Sequence, residues 1–366
     1  MADVGDTLVI GAGLAGSAAA CLLAQAGRLV HLIDRETGPH HKVCGEFLSE
    51  EALAHLSQLG LEPEALGGEP IGRVRLVCGG MVAETALPFR AIGLSRHALD
   101  EALVARAAAA GARLERGVRV LRLDGGTAHT SCGAMTGDAV VLATGKLPVR
   151  EREGAAAHRV HDGFVGFKMH YRLAPQASAR LRGTILLALL DGGYAGLQMV
   201  EDGRANLCLV IRRSRLARLG GGWEDLPEWL DGARELAAML RDAEPLFARP
   251  ATIANLAYGM PPAPEEGDPL FRLGDRWAMT ASLTGDGMAI ALRSAFVAAR
   301  CITAGEGSNA YRQRMAAQAG TQVARAMTVQ NAMAFPGAGM VFCGVAALFP
   351  AGLRFAAQAT RIRRWQ

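Results

Sequence analysis

No two cysteines in this chain stand in C-x-x-C spacing. The seven (Cys21, Cys44, Cys78, Cys132, Cys208, Cys301 and Cys343) are scattered, with no Cys/His cluster at ligand spacing. No metal site is therefore expected, and reduced thiols in a cytoplasm fit best. An excess of one charge is missing too: 39 Lys and Arg face 35 Asp and Glu, mostly dispersed. That excludes the electrostatic footprint of a nucleic-acid binder. The start has no basic region followed by an apolar one, so no signal peptide is expected. An uninterrupted apolar run of spanning length is also lacking. Residues 331–353 carry no charge, but Pro336 and Pro350 leave only 13 residues between them, against the roughly 20 that cross a bilayer. Burial of this segment against the body is the first expectation and a monotopic position in a membrane surface the second. Beyond it, Arg354, Arg361, Arg363 and Arg364 read either as a solvated face or as a contact for anionic lipid headgroups. The expected location is the cytoplasm, with peripheral contact at the inner face of the membrane as an addition.

Half of the 366 residues are hydrophobic, enough for two or three domains with a sizeable core. The chain is organised around its opening, where Leu8-Val9-Ile10 reads as a buried strand and the small-residue run from Ala15 as a helix packed closely on it. Between them lies Gly11-x-Gly13-x-x-Gly16. The first glycine serves a tight turn, the second lets backbone approach a pyrophosphate, and the third allows helix–strand contact. A second strand, Leu29 to Ile33, ends in Asp34, about where an acid takes ribose hydroxyls. Strand, loop, helix and acid together point to a dinucleotide, and Asp34-Arg35 does not choose between nicotinamide and flavin.

The loop Lys42-Val43-Cys44-Gly45-Glu46 follows, chemically loaded for a connector, although Cys44 can also be read as a small buried packing residue. Ser49 is the expected N-cap of the next helix. Strand runs at 74–77 and 81–87 flank a Gly79-Gly80 turn, Ser95-Arg96 heads an alanine-rich helix, and Ala139 to Gly145 is a buried strand and turn. From Gly163 to Ile211 strand runs dominate, which predicts an antiparallel sheet, and Trp223 to Asp242 reads as one or two helices. Gly274-Asp275 closes a returning strand, and Gly285-Asp286-Gly287-Met288 opens a helix whose N-terminus favours negative charge. The expected fold is α/β with an α+β insert. A Rossmann-like domain spans 1–75, 91–150 and 260–320, an antiparallel-sheet substrate domain 76–90 and 151–259, and a helical segment 321–366.

These pieces in this order resemble the para-hydroxybenzoate-hydroxylase-like flavoproteins, in the branch around geranylgeranyl reductases and related flavin-dependent monooxygenases. The resemblance covers roughly residues 4–320, and Lys42-x-Cys44-Gly45 is similar to a reductase-branch segment. It implies FAD as the resident cofactor, with Gly11, Gly13 and Gly16 at the pyrophosphate and Asp34 and Arg35 at the adenosine ribose. Lys42, Cys44, Gly45, Arg96, Thr144 and Gly145 would line the cofactor, Gly274 and Asp275 the ribityl chain, and Gly285, Asp286, Gly287 and Met288 the flavin ring. Arg276-Trp277 departs from the small residues usual after Gly-Asp in that family.

Cys44, Lys168, His170 and Tyr194 are the implied catalytic residues, the last three on the sheet that would cover the flavin. No second G-x-G-x-x-G follows residue 145. Reduction would then fall to transiently docked NADPH or NADH, a partner flavin reductase, or the substrate. Trp223, Trp229, Trp277 and Trp365 do not form the W-x-W-x-I-P segment of flavin halogenases. The leading function implied is a monooxygenase acting through a flavin hydroperoxide on a hydrophobic small molecule such as a polyketide, an aromatic or a lipid. The alternatives are reduction of C=C bonds in prenyl or polyketide chains, and a flavin-binding protein without turnover.

Overall fold

The computed structural model describes residues 2–3, 7–147, 149–151, 162–220, 222–230, 232–261, 267–333, 337–359 and 361. Pro336, Arg363, Arg364 and Trp365 lie outside them. In chain order the main elements are β1 (Thr7–Ile10), α1 (Leu14–Gln25), β2 (Val30–Asp34), β3 (Phe47–Ser49), α2 (Glu50–Gln58), β4 (Glu69–Cys78) and β5 (Met81–Gly93). Then come α3 (Arg96–Ala109), β6 (Arg113–Arg116), β7 (Ala139–Leu142), β8 (Phe164–Arg172), β9 (Thr184–Leu190), β10 (Gly193–Val200), β11 (Arg204–Arg212) and β12 (Leu270–Arg272). The chain closes with α4 (Gly287–Thr303), α5 (Ser308–Met315), α6 (Thr321–Met333), α7 (Ala338–Leu348) and α8 (Pro350–Ala359).

Strands β12, β7, β1, β2 and β6 form a five-stranded parallel sheet in that order, with β1 at its centre. Such a strand is covered on both faces, which is why Leu8, Val9 and Ile10 are all apolar and all buried. Ala18, Ala19 and Ala20 are fully buried, letting α1 come close to α3 and α4. A smaller sheet of 2–3, 133–136, 127–130 and 120–124 flanks this core, and its hairpin 127–136 gave no periodic signal in the sequence.

The second sheet runs 244–245, β8, β11, β10, β9, β4, β5, β3, with 251–256 also paired to β8. It is antiparallel except where β9 meets β4. Because β4 belongs to it whole, a domain boundary after residue 75 would cut a strand. The segments lent to this sheet are 47–49 and 69–93 rather than 76–90. Period-2 alternation gives β8, β10 and β11 two unlike faces. Val165, Phe167 and Met169, with Leu207, Leu209 and Leu197, pack against the short helices 226–229 and 234–240. The opposite face carries Lys168, His170, Asn206, Cys208, Gln198 and Tyr194, and looks back toward the first domain.

Three local expectations need correction. Ser49 occupies the N-cap of α2, but its Oγ is buried and accepts no bond from the helix. Helix α4 starts at Gly287, so Gly287 and Met288 belong to its first turn and do not stand ahead of it. Strand β12 stops at Arg272, and Gly274–Arg276 is a single 3-10 turn held by Gly274 N–H donating to Ser294 Oγ at 2.9 Å. After that turn Arg276 points to Glu151 and Trp277 is buried in the core, so their bulk leaves the neighbouring site clear. Helices α7 and α8 lie against β5, where the Cys343 thiol donates to Leu76 O and Met81 O.

Candidate active site

A cavity of about 740 Å³ runs between the two sheets, polar at one end and apolar at the other. The polar end begins at the glycine loop. Gly11 has φ +103°, and a Cβ there would lie 2.6 Å from Ala143 O. A Cβ on Gly16 would fall 1.9 Å from Gly11 O. Only glycine permits these approaches. Gly16 thus packs the helix on the loop and is not on the cavity wall, which corrects the pyrophosphate role given to it.

Gly13 is different, since a Cβ there would meet only the tips of Lys42, at 3.4 Å, and Arg96, at 3.5 Å. The space before it is bounded by two cations and by the first turn of α1, which has no side-chain cap. Unsatisfied N–H groups, a helix dipole and cations together make an anion site. Asp100 accepts from Lys42 Nζ at 2.8 Å and from Arg96 Nε and Nη2 at 2.7 and 2.9 Å. Two cations against one carboxylate leave net positive charge. Burial works against the Arg96 charge, but Asp100 first and Cys44 next outweigh it and hold the guanidinium protonated.

Asp34 reaches the wall with Oδ2 accepting from Ala12 N–H at 2.6 Å and Oδ1 from Glu36 N–H at 2.8 Å. Arg35, Thr144 and Gly145 are also on the wall. Further along, Lys146 Nζ lies 3.9 Å from Asp275 and donates to Val43 O at 3.1 Å. Gly274, Gly285, Gly287 and Met288 complete this stretch at the N-terminus of α4. Asp286 turns away from the cavity, a correction to its cofactor role. Its buried carboxyl pairs with Arg361 at 3.0 Å, and burial, opposed by Arg361, raises it to about 6. From Gly13 to Asp275 the wall offers an anion site followed by hydrogen-bonding groups, the chemistry that an extended dinucleotide takes.

Over the middle of the cavity sits 42–47, clamped by the polar face of the second sheet. Register places His170, Asn206 and Gln198 in one row across three strands. Asn206 Nδ2 donates to Cys44 O at 3.1 Å and Gly45 O at 2.9 Å, and Gln198 Nε2 to Glu46 O at 2.7 Å. Glu46 has φ +58°, a strained value for a residue with a side chain. Its carboxylate accepts from Lys168 Nζ, from Arg96 N–H at 2.7 Å, and lies 2.8 Å from His170 Nε2. Burial alone would raise Glu46, but Lys168 and then His170 outweigh it and hold it below the usual carboxylate range.

Lys168 and His170 are fully buried behind Glu46 and absent from the wall, which corrects the expectation that they face the reacting groups. Glu46, part of the chemically loaded loop but given no role of its own from the sequence, contributes to the wall, although its carboxylate is buried with them. His41 stacks on His97 and Phe247 and meets His170 edge-on. Burial first, then Lys168 and His170, lower it to about 3, so it is neutral. His41, Glu46 and His170 bring ligand-type atoms within 4.8 Å of one another. The Lys168 ammonium on Glu46 makes this a hydrogen-bonded network rather than a cation cage.

Cys44 and Tyr194 do face the cavity. The Cys44 Sγ accepts from Glu46 N–H at 3.4 Å. Tyr194 stays protonated, driven well up by burial, beside the Tyr258 and Ser282 hydroxyls, which are 2.9 Å apart. The apolar end is lined by Val74, Leu76, Leu87, Phe89, Ile185 and Leu187 from the sheet. Val329, Met333, Phe342, Ala357 and Arg361 close it from the C-terminal helices.

Residues 5–134 match the FAD binding domain family. Over 147 residues the chain is 34% identical to menaquinone reductase of Mycolicibacterium smegmatis, covering 38% of this chain and 34% of that protein. Over 57 residues it is 44% identical to squalene epoxidase 5 of Arabidopsis thaliana, covering 16% and 11%. The matches thus span about a third or less of these curated relatives. In fold, the flavin-dependent brominase Bmp2 superposes with a TM-score of 0.75 at 19% identity, covering 97% of this chain and 93% of that one. The cradle and these matches agree on FAD.

Proposed function

We propose, from the premise that this chain is an FAD-dependent oxidoreductase of the para-hydroxybenzoate-hydroxylase-like superfamily, that it is a monooxygenase acting on an elongated hydrophobic small molecule. The observation that carries this reading is the single cavity with a dinucleotide cradle at one end and an apolar chamber at the other. FAD, when bound and reduced by NADPH, NADH or a partner flavin reductase, supplies the electrons that split O₂, one atom going to substrate and one to water.

The rest falls to the chain. Lys42, Arg96 and the start of α1 would hold the pyrophosphate, Asp34 the ribose and Asp275 the ribityl chain. The N-terminus of α4 favours negative charge at the ring end of the cofactor. Val74, Leu76, Leu87 and Ile185 bind the substrate's apolar body and exclude water, which protects reactive species from hydrolysis. Tyr194 presents a protonated hydroxyl able to donate to substrate.

A second reading, reduction of a C=C bond, is favoured by the Lys42-x-Cys44-Gly45 loop. Oxygen separates the two. Purified holoprotein with NADPH and candidate substrates is expected to consume one O₂ per hydroxylated product. Anaerobic saturation of an alkene, with no oxygen requirement, would overturn the first reading in favour of the second.

A further inference from the structure

Helices α7 and α8 have an inner side that the fold uses and an outer side that it does not. Inside, Cys343 and Ala346 are buried on the sheet, while Phe342 and Ala357 close the apolar end of the cavity. Outside, Val341 is 69%, Leu348 76%, Phe349 66% and Phe355 75% exposed. The hairpin tip beside Met340 adds exposed Val82. Such a cluster is larger than the scattered apolar residues of an ordinary surface.

We propose that this face docks on an anionic lipid bilayer, with α7 and α8 lying in its surface. Charge favours lipid over a second copy of the chain: 331–353 contains no charged residue, and the first one beyond it is Arg354, exposed beside Phe355. An exposed basic residue next to an apolar face is what an anionic headgroup layer attracts, at about 1 kcal/mol. A span is excluded by length, since α7 has 11 residues and α8 has 10. The bent pair 308–333 with 338–348 is long enough taken together, but Tyr311, Met315 and Val323 of its first arm are buried in the protein core. Docking this way sets the apolar end of the cavity one helix layer from the acyl chains. That last step rests on the hydrophobic-substrate reading, whereas the docking itself does not.

The test is flotation of the FAD-loaded full chain with phosphatidylcholine vesicles, with and without phosphatidylglycerol. The native protein is expected to float with the mixed vesicles and less with phosphatidylcholine alone. Leu348→Glu with Phe355→Glu should abolish flotation while FAD content and thermal midpoint hold, because both side chains touch solvent. Arg354→Glu should weaken binding to the mixed vesicles by at least about fivefold. A native protein that floats with neither overturns the proposal. So does one that sedimentation shows to be a dimer without lipid and that the double Glu variant turns into a monomer. Flotation is read without substrate, so it can fail while oxygen uptake stands, and the reverse.

Discussion

At the scale of single residues, Gly13 and Glu46 decide most. Gly13→Val has room to fold, since its side chain would meet only two flexible cation tips, but it fills the anion site. The expected outcome is an unchanged thermal midpoint of the apoprotein and FAD affinity lower on the order of 100-fold, from loss of charge-assisted bonds; calorimetry reads it. Glu46→Gln leaves the Lys168 ammonium buried without its anion and should cost ~3–5 kcal/mol. Adding Lys168→Met should restore part of that, and a double-mutant cycle in urea measures the coupling. Cys44→Ser is nearly isosteric. Because Cys44 faces the cavity, FAD should stay bound and the midpoint constant while the single-turnover reoxidation rate with substrate changes. A lower midpoint with an unchanged rate would mark the thiol as structural.

At the scale of elements, the start of α4 couples the cofactor end to the C-terminal segment through Asp286 and Arg361. Asp286 is raised to about 6 in the folded state, above its ordinary value near 4. For an acid raised on folding, the native state holds the proton more tightly than the unfolded chain. Its penalty is therefore fully present above pH ~6 and is relieved as pH falls from there toward 4. Thermal midpoints of Asp286→Asn and the native protein should differ more at pH 8 than at pH 5, in favour of the variant. The Arg361 guanidinium also lies over the Phe89 ring, at 4.6 Å, and donates to Thr284 O, so the end of the chain fixes both the helix start and a cavity wall.

At the scale of the whole molecule, the cavity lies between two sheets joined by a few side-chain clamps. Asn206 donates to the carbonyls of 44–45 from the second sheet and is not on the cavity wall itself. Asn206→Leu should cost ~1–3 kcal/mol of stability through the lost bonds. It should also speed FAD release, as seen by flavin fluorescence recovery after dilution, because the loop under the ring end loses its support. An effect on stability with no change in FAD release would show that the clamp holds the domains together without shaping the site.

What the sequence determined by itself was whatever depends on neighbours along the chain. The strand, glycine turn, helix and acid of 8–34 are local, and so are the Ser95 cap, whose Oγ accepts from Ala98 N–H, and Pro350 at the start of α8. Even the shared face of Lys168 and His170 follows from a period of two. Tertiary structure alone decided which way that face looks. Glu46 and Lys168 are 122 positions apart, and nothing local says that a carboxylate at φ +58° will be buried against that ammonium. Register across three strands set Asn206 and Gln198 beside His170, turning three unremarkable polar residues into a clamp. The cavity has the same origin, since its walls come from both sheets and from residues as late as Arg361. A buried charge needs its partner wherever the chain can supply one, and only the packed fold brings such distant partners within bonding distance.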